Sequence, residues 1–480
     1  MNTNIYHGAK VWQIGFFTLN NTAVNIYFML MLYIVYFVSG VLGIGVAIVS
    51  TLMAVLVVLD GAMDPIVGWF IDRTQGRFGK FRPFMLAGNL LMAFSLAFMF
   101  FSQNVAVGVR IPLFVIAYTI YVLGHTFQFC VTRAAQSVLT NEPKQRPVFS
   151  AFDMCMNVLL YVGVTMVVSN VLVPRHGGFY SPMFAEFFLF AAVAAFVCTC
   201  LAIIGIWSKD RPEFFTLAER MPKVKFRDCL TVLKENRNIQ MLMISSSTDK
   251  LFSNITQNAV ISVIIFGIIA GDFALSGQMN MFVFAPSMVV SMLVIQYARK
   301  KGQKEALLLS TYGGIMFTSL IFLLFLLGDP MTLSFANFSM FTALFLVFLA
   351  MRGGFMSVNN SILVPMVGDC VDHEAARSGK YIPGMIGALF SFADKVVTSL
   401  NSVIVGALIL LAGFKTEFPT VDTPYTSALF WVGMICYCLL PIFGWVINIV
   451  CLRYYSLTKT RMAEAQESIK MLREKEIVNE

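Results

Sequence analysis

Twelve long apolar segments set the strongest limit on how this chain folds. Each is about as long as the roughly 20 residues that an α-helix needs to cross a bilayer. Only 12% of the residues are charged, about half the share found in a soluble domain. We therefore predict an all-α integral membrane protein with twelve transmembrane helices, at about 14–37, 42–70, 83–102, 112–139, 148–173, 183–207, 238–270, 276–297, 305–328, 336–368, 382–413 and 426–452.

The connectors between these segments predict the domain organisation and the orientation. The longest connector separates six-helix bundles at 1–207 and 238–452, which leaves a cytoplasmic central loop at 208–237 and a cytoplasmic tail at 453–480. Most of the 34 Lys and Arg residues lie in connectors on one side. The positive-inside rule places that side, and both termini, in the cytoplasm. The same distribution accounts for the net charge of +8 without a nucleic-acid partner.

A weak internal repeat links the two halves. Gly79–Asn89 (GKFRPFMLAGN) follows the second segment and resembles Gly302–Gly314 (GQKEALLLSTYGG), which follows the eighth. Two six-helix halves related in this way are the plan of the major facilitator transporters, whose substrate site lies near the midplane between the halves. The repeat therefore predicts the major facilitator fold.

Two carboxylates interrupt the second apolar segment. Asp60 and Asp64 are four residues apart, so on a helix they share one face. A charge at the centre of a span costs about 2.5–3.5 kcal/mol, and such residues normally face a partner or a water-filled cavity. The eighth segment, the counterpart in the second half, carries no such pair. We predict that Lys395, in the eleventh segment, faces both carboxylates between the halves. A static ion pair that joins the halves is the alternative.

Two further groups of charged residues lie inside the predicted spans. Arg133 and Asp153 lie near the facing ends of consecutive segments, so they are candidates for a pair, either structural or in contact with substrate. Asp249 and Lys250 are adjacent and point in different directions on a helix, so each needs its own partner. Arg352 is a candidate partner for Asp249, and the two glycines that follow it suit either a hinge or a close helix contact.

Amide side chains also recur inside the spans, and a group that both donates and accepts hydrogen bonds suits a solute with many hydroxyls. The candidate substrate-binding residues are Asn21, Gln128, Arg133, Asp153 and Asn360. Hydrogen bonds between helices are the alternative role for each amide. The four His residues are scattered without metal-ligand spacing, so we predict a protein that is not an enzyme and has no cofactor.

Two strings of residues carry a resemblance to a known family. The first is Asp60, Asp64-Pro65, Gly68-Trp69 and Gly79–Pro83 (GKFRP). The second is Asp369, Asp372, Gly379-Lys380 and Lys395. Together they resemble the glycoside–pentoside–hexuronide:cation symporters, the family of the melibiose carriers within the major facilitator superfamily, over nearly the whole chain. The resemblance implies that Asp60 and Asp64 bind the coupling cation beside Lys395.

Three positions differ from the melibiose-carrier pattern. Those carriers have a sugar-binding Asp in the first span, where Asn21 stands here, and another Asp in the fourth, where Val131 stands. Their Arg early in the fifth span is matched by Asp153, while Arg133 lies nearby in the fourth. The charges on these two spans are exchanged, which leaves the substrate open between a neutral glycoside and an anionic sugar such as a hexuronide.

We expect a secondary transporter of the plasma (inner) membrane that couples cation entry to uptake of a sugar, a glycoside or a related small hydrophilic solute by alternating access. The coupling cation is H⁺ or Na⁺, and Asp60 and Asp64 are the candidate Na⁺ ligands. A cytoplasmic latch between conformations is predicted at Asp72, Arg73, Lys80, Arg82, Asp369 and Asp372. The alternatives are an uncoupled facilitator and a carrier of an organic-acid or lipid-like solute on the same fold.

Overall fold

The protein is an all-helical bundle in the computed structural model, which describes residues 8–74, 78–140, 145–211, 235–378 and 383–457. Over these residues every regular element is a helix and no strand occurs. Eleven of the described helices are long and apolar enough to cross a membrane, and a bent pair adds a twelfth span. The predicted all-α membrane class with twelve spans is confirmed.

Six spans form the first half: α1 Val11–Val41, α2 Val46–Arg73, α3 Arg82–Phe101, α4 Val107–Leu139, α5 Arg146–Val167 and α6 Ser181–Ile206. Six form the second half: α7 Arg237–Thr256, α8 Ala274–Lys301, α9 Gln303–Leu327, α10 Met340–Ser378, α11 Pro383–Thr398 and α12 Ser427–Tyr454. The helix of α11 resumes at Leu400–Leu411. α10 ends beyond the predicted boundary at 368, because a helix can continue past its apolar stretch.

One span is visibly broken. α7 bends by 46° before a second piece, Ala259–Ile269. The break has a local cause, because the Asn258 side chain accepts a hydrogen bond from the backbone N–H of Val260 at 3.0 Å. Asn is a preferred cap at a helix start. The predicted single span at 238–270 is therefore two helical pieces that meet at an Asn cap.

The chain divides into two compact units. One is Met1–Pro222 with Gly413–Thr420, and the other is Lys223–Ala412 with Val421–Glu480. The division falls inside the predicted central loop at 208–237, most of which lies outside the described residues. The connector after α11 belongs to the N-terminal unit, since the N–H of Val46 donates to the carbonyl of Lys415 at 3.1 Å. The predicted bundle at 238–452 includes this connector, and the predicted domain bounds stay a prediction.

Glycines set the closest helix contacts inside each unit. A Cβ added to Gly88 of α3 would lie 2.7 Å from the carbonyl oxygen of Gly124 in α4. In the C-terminal unit, a Cβ on Gly354 of α10 would lie 2.5 Å from the Cβ of Val290 in α8. Small residues let spans approach where lipid tails leave packing as the main attraction. The glycines after Arg352 therefore make a close helix contact, which was one of the two predicted roles.

The internal repeat has a structural counterpart. Gly79 and Gly302, the first residues of the two similar strings, precede α3 and α9. Both have positive φ, at 92° and 111°. Glycine adopts this conformation without the steric cost that a Cβ would add. In both halves, a glycine with positive φ therefore stands before the third helix.

Candidate cation and solute site

The two carboxylates of α2 lie along α4. Asp60 and Asp64 are both partly exposed on one face of α2, as their spacing predicted. The hydroxyl of Thr126 in α4 donates to Asp60 Oδ1 at 3.4 Å. One turn further along, Cys130 Sγ lies 4.0 Å from the backbone carbonyl oxygen of Asp64. The packing of α2 on α4 thus places a hydroxyl and a thiol beside the carboxylate-bearing turns.

A histidine also faces the first of these carboxylates. His125 Nδ1 lies 3.8 Å from Asp60 Oδ1, and both side chains are about one-fifth exposed, at 21% and 20%. The imidazole belongs to a row of stacked rings along α4, with centroid distances of 6.2 Å to Tyr121 and 5.7 Å to Phe129. This row holds the imidazole beside Asp60. His125 was not among the predicted site residues, because its contact with Asp60 depends on how α2 packs on α4.

The donor set around Asp60 suits a small monovalent cation. Carboxylate and hydroxyl oxygens are hard ligands of the kind that Na⁺ and similar ions prefer, and a carboxylate can instead take a proton. Over the described residues, no group of three or more His, Cys, Asp or Glu side chains comes together as a metal centre. The oxygens of Asp60 and Thr126 are thus of the type that can bind such a cation.

Two predicted solute-binding residues meet in the N-terminal unit. The Asn21 amide of α1 donates to Asp153 Oδ1 of α5 at 2.7 Å. The amide of Asn157 donates to the other carboxylate oxygen at 3.1 Å, and Asn25 donates to Asn157 at 2.6 Å. All four side chains are partly exposed. They form a continuous polar ladder between α1 and α5 that can exchange hydrogen bonds with a hydroxylated solute.

Gln128 has a different setting. Its side chain is fully buried. Its amide donates to the carbonyl of Met85 in α3 at 2.8 Å and to the hydroxyl of Thr199 in α6 at 3.2 Å. The neighbouring Asn20 amide donates to the backbone carbonyl of Gln128 at 3.1 Å. These contacts support the helix-packing alternative for Gln128 rather than a substrate contact.

Lys395 of α11 lies in the C-terminal unit and is partly exposed, while Asp60 and Asp64 lie in the N-terminal unit. The predicted pairing of these three residues stays a prediction. The residue before Lys395 is an aspartate that the sequence analysis missed. Asp394 is buried, forms an ion pair with Lys250 of α7, and accepts a hydrogen bond from the hydroxyl of Ser247 at 2.7 Å.

Asp249, the neighbour of Lys250, has its own hydrogen-bond partners, as predicted, but Arg352 is not one of them. Asp249 is buried and accepts from the Asn359 amide at 3.1 Å and from the Trp445 indole N–H at 3.0 Å. The Arg352 guanidinium stacks instead on the ring of Tyr437, with its carbon 4.3 Å from the ring centroid. The candidate pair of Arg352 with Asp249 is therefore wrong, because neutral donors occupy the carboxylate and an aromatic ring holds the guanidinium.

The loop before α3 wraps around a buried carboxylate. Asp210, which follows α6, accepts hydrogen bonds from the backbone N–H groups of Lys80 at 2.9 Å, Phe81 at 3.2 Å and Arg82 at 3.1 Å. The Arg82 Nε also donates to it at 3.2 Å, and the guanidinium carbon lies 4.3 Å above the ring of Trp207. Two predicted latch residues, Lys80 and Arg82, thus share an anchor that the sequence analysis did not identify.

A second buried carboxylate lies near the other predicted latch residues. Glu374 of α10 is 1% exposed and accepts from the Asn236 amide at 2.6 Å and from Arg377 Nε at 3.2 Å. Asp369 lies on the same helix and is partly exposed. The side chains of the remaining predicted residues lie outside the described part of the structure: Asp72, Arg73, Arg133, Asn360 and Asp372.

Comparison with known proteins shows which family the chain belongs to. A family model described as MFS/sugar transport protein matches residues 18–459. The chain belongs to the MFS/sugar transport protein family. Members similar to it include the uncharacterized symporter YnaJ of Bacillus subtilis (strain 168), 22% identical over 96% of this chain and 95% of that protein. The isoprimeverose transporter of Lactiplantibacillus pentosus is 23% identical over 95% of this chain and 91% of that protein.

A solved structure supports the same fold. The D-xylose-proton symporter superposes with a TM-score of 0.58 and 14% sequence identity, over 91% of this chain and 96% of that chain. At this identity the likeness shows the fold alone. The predicted major facilitator fold and the predicted resemblance to glycoside and sugar symporters are both confirmed, and the protein is a multi-span transporter of the MFS/sugar transport protein family.

Proposed function

We propose that this protein is a secondary active transporter that couples the entry of a monovalent cation to the uptake of a sugar or glycoside. The observation that carries the proposal is the pair Asp60 and Asp64 on one face of α2, beside Thr126 and His125 of α4. Mid-span carboxylates are costly unless they serve a site. Membership of the MFS/sugar transport protein family, with relatives named as symporters and sugar transporters, supports the same function.

The proposed mechanism is alternating access. A cation, H⁺ or Na⁺, neutralises Asp60 and Asp64, releases Lys395 from them and stabilises the conformation that binds the solute. Such coupling requires that the cation bind the two conformations with different affinity. The polar ladder of Asn21 and Asp153 contacts the solute. Asp210 holds the loop with Lys80 and Arg82, and this loop latches one conformation on the cytoplasmic side of the plasma membrane, where both termini lie.

The proposal is tested by uptake in membrane vesicles over a panel of glycosides and uronides. Sodium-dependent uptake and solute-induced proton movement are measured for wild type and for Asp60→Asn and Asp64→Asn. We expect a cation gradient to drive accumulation in wild type only, because an amide has no negative charge to offset a cation and does not take up a proton. The matched control is Asp272→Asn, an exposed aspartate outside the spans whose carboxylate accepts from the N–H of Ala274 at 2.9 Å.

The opposite result has a clear meaning. If uptake only equilibrates the solute, and both variants behave like wild type, then Asp60 and Asp64 are structural. The protein is in that case an uncoupled facilitator on the same fold.

A further inference from the structure

A buried carboxylate inside α7 uses only one of its two oxygens. Asp249 is 8% exposed. Its oxygen Oδ1 accepts from the Asn359 amide of α10 at 3.1 Å and from the Trp445 indole N–H of α12 at 3.0 Å. No donor from the described residues reaches the other oxygen, Oδ2. Because buried polar atoms nearly always have a partner, Oδ2 is suited to a bound particle.

The two donors are held in place, so they do not serve Oδ2 as well. The hydroxyl of Ser310 donates to the oxygen of the Asn359 amide, which fixes the end of the amide that faces Asp249. The Trp445 ring packs closely on α9, where a Cβ added to Gly314 would lie 3.0 Å from it. An indole has a single N–H donor, and Oδ1 accepts it.

A small cavity lies against Asp249. Its volume is about 10 Å³, at the lower limit for a single water molecule. Asp249 and Ser253, four residues apart on one face of α7, line it together with apolar and aromatic groups such as Phe252 and Trp445. The Ser253 hydroxyl accepts from the Gln257 amide at 3.0 Å, a bond that does not use its own hydrogen. The cavity thus admits one particle of the size of water and excludes a sugar.

No cationic side chain of the described residues forms an ion pair with Asp249. Lys250, its neighbour on α7, binds Asp394 of α11. Arg352 of α10 stacks on Tyr437 of α12. The other charged or His residues on these three helices are Lys395, next to Asp394, and, toward the ends of α10 and α12, Asp369, Asp372, His373, Glu374, Arg377 and Arg453. Since a charge inside a span is costly without a partner, a particle that neutralises Asp249 is favoured.

The lining of the cavity shows which particle fits. Hard metal cations need several oxygen ligands, and the side chains of this lining offer one carboxylate and one hydroxyl. A cavity of this size does not admit the water molecules that would complete a metal shell. A proton needs a single oxygen, and one water molecule in the cavity is enough to deliver it or take it away.

We propose that Asp249 is a proton-binding site in the C-terminal unit, with Oδ2 as the atom that takes the proton. When the proton leaves to water in the cavity, Asp249 becomes a carboxylate and its bonds from Asn359 and Trp445 become charge-assisted. Such bonds are stronger than neutral ones, so protonation changes how firmly α7 is held to α10 and α12. The site is distinct from the proposed cation site, because Asp249 and Asp60 belong to different units.

Trp445 reports on this site, because its indole N–H donates to Asp249. Tryptophan fluorescence of the purified protein is followed from about pH 4 to about pH 9, a range that covers the titration of most carboxylates in proteins. The same titration of Trp445→Phe is subtracted, which isolates the signal of Trp445 among the five tryptophans. The decisive variant is Asp249→Asn, whose amide oxygen can accept from both donors but does not titrate.

We expect one transition with the slope of a single proton in the wild-type difference curve, and its loss in Asp249→Asn. It should remain in Asp60→Asn, which changes the other unit, and in Asp272→Asn, the exposed control. Its midpoint should stay in place when choline replaces Na⁺ at equal ionic strength. Ser253→Ala, which changes the cavity lining, should move the midpoint, so the test does not depend on the folding of Asp249→Asn.

Several results overturn the inference. A flat difference curve would mean that Asp249 keeps one charge state throughout. A transition that survives in Asp249→Asn, is lost in Asp60→Asn, or ignores Ser253→Ala would assign the proton to a residue outside the cavity. A midpoint that moves with Na⁺ would mean that a metal ion competes for the site.

The proposed function is judged separately by the vesicle experiment. If the Trp445 transition is present and no cation gradient drives uptake, the proposed function fails and the proton site stands. If uptake is cation-driven and the difference curve is flat, the proton site fails and the proposed function stands.

Discussion

Replacement of Asp210 by Asn should loosen the loop that precedes α3. The Asp210 carboxylate accepts from three consecutive backbone N–H groups, from Lys80 to Arg82, and from the Arg82 side chain. Its side chain is fully buried. An asparagine keeps one oxygen but turns an NH₂ group toward the remaining donors. The Phe81 N–H contacts both carboxylate oxygens and keeps one acceptor. The NH₂ group instead faces either the Lys80 N–H or the two donors of Arg82, so one or two of the four donors lose their acceptor.

The expected cost follows from those contacts. A buried donor that loses its partner costs about 1–3 kcal/mol. The buried Phe81 N–H keeps one acceptor oxygen, and the partly exposed donors of Lys80 and Arg82 can bind water in place of the lost one. We therefore expect a local destabilisation of about 1.5–3 kcal/mol, the value of one hydrogen bond to a charged group. At 1.4 kcal/mol for each tenfold change, the loop amides should exchange roughly 10- to 150-fold faster.

Hydrogen–deuterium exchange of the purified protein measures this directly, because exchange reports local opening. The informative peptide is the one that contains Lys80, Phe81 and Arg82. The matched control is Asp329→Asn, which changes an exposed aspartate that accepts one backbone bond, from Met331 N–H at 3.0 Å. Asn and Asp cap helices about equally well, so the control should change exchange little.

Wild-type exchange rates at the loop in the Asp210 variant would refute the reasoning. That result would mean that the three N–H groups find equivalent acceptors without the carboxylate. The loop would then be held by its packing, such as the stacking of Arg82 on Trp207, and not by Asp210.

Two more substitutions test the packing inside each unit. Gly124→Val should sharply reduce the yield of monodisperse protein in size-exclusion chromatography, because its Cβ would lie 2.7 Å from the backbone oxygen of Gly88 and backbone cannot give way. Gly108→Val, where nothing lies within 4 Å of the added Cβ, is the control, and equal yields would contradict the close contact. Glu374→Gln should lower thermal stability by about 1–3 kcal/mol through its lost charge-assisted bonds with Arg377. An unchanged melting temperature in detergent would show that this ion pair is not stabilising.

The positions of the twelve spans were predictable because apolar length is a property of the local sequence. The ends were less predictable, since they depend on contacts outside the apolar stretch. α10 runs on to Ser378, past the predicted 368, where Glu374 binds Asn236 and Arg377. The break in α7 was missed for a related reason. Asn258 caps the second piece, but an asparagine inside an apolar run has the same composition whether it caps a helix or continues one.

The candidate site was predictable only where residues share one helix. The four-residue spacing of Asp60 and Asp64 placed them on one face, and the structure has them there. The partners of such residues lie on other helices, so they depend on how the helices pack. His125 beside Asp60 is 65 positions away in sequence, and Asp394 beside Lys250 is 144 positions away. No local pattern encodes either contact, although both partners are ionisable residues inside spans.

The two halves use different chemical groups to attach the start of the third helix to the segment after the sixth. In each half, the segment after the sixth helix holds the start of the third. Asp210 after α6 accepts four hydrogen bonds from the loop that enters α3. After α12, the carbonyl of Tyr455 accepts one hydrogen bond from Lys304 at the start of α9, at 2.7 Å.

The difference between these ties has a consequence for movement. A buried carboxylate with four donors is a stronger tie than a carbonyl with one, because both ties use charge-assisted bonds and the first has four of them against one. If helices move at the end of each half where the third helix begins, α9 should therefore shift relative to α12 more easily than α3 shifts relative to α6. The half that carries Asp60 and Asp64 should thus be the stiffer one at the end where its third helix begins. If α2 shifts when a cation binds, α3 and α6 should therefore move together, because Asp210 ties the loop at Lys80 to the end of α6.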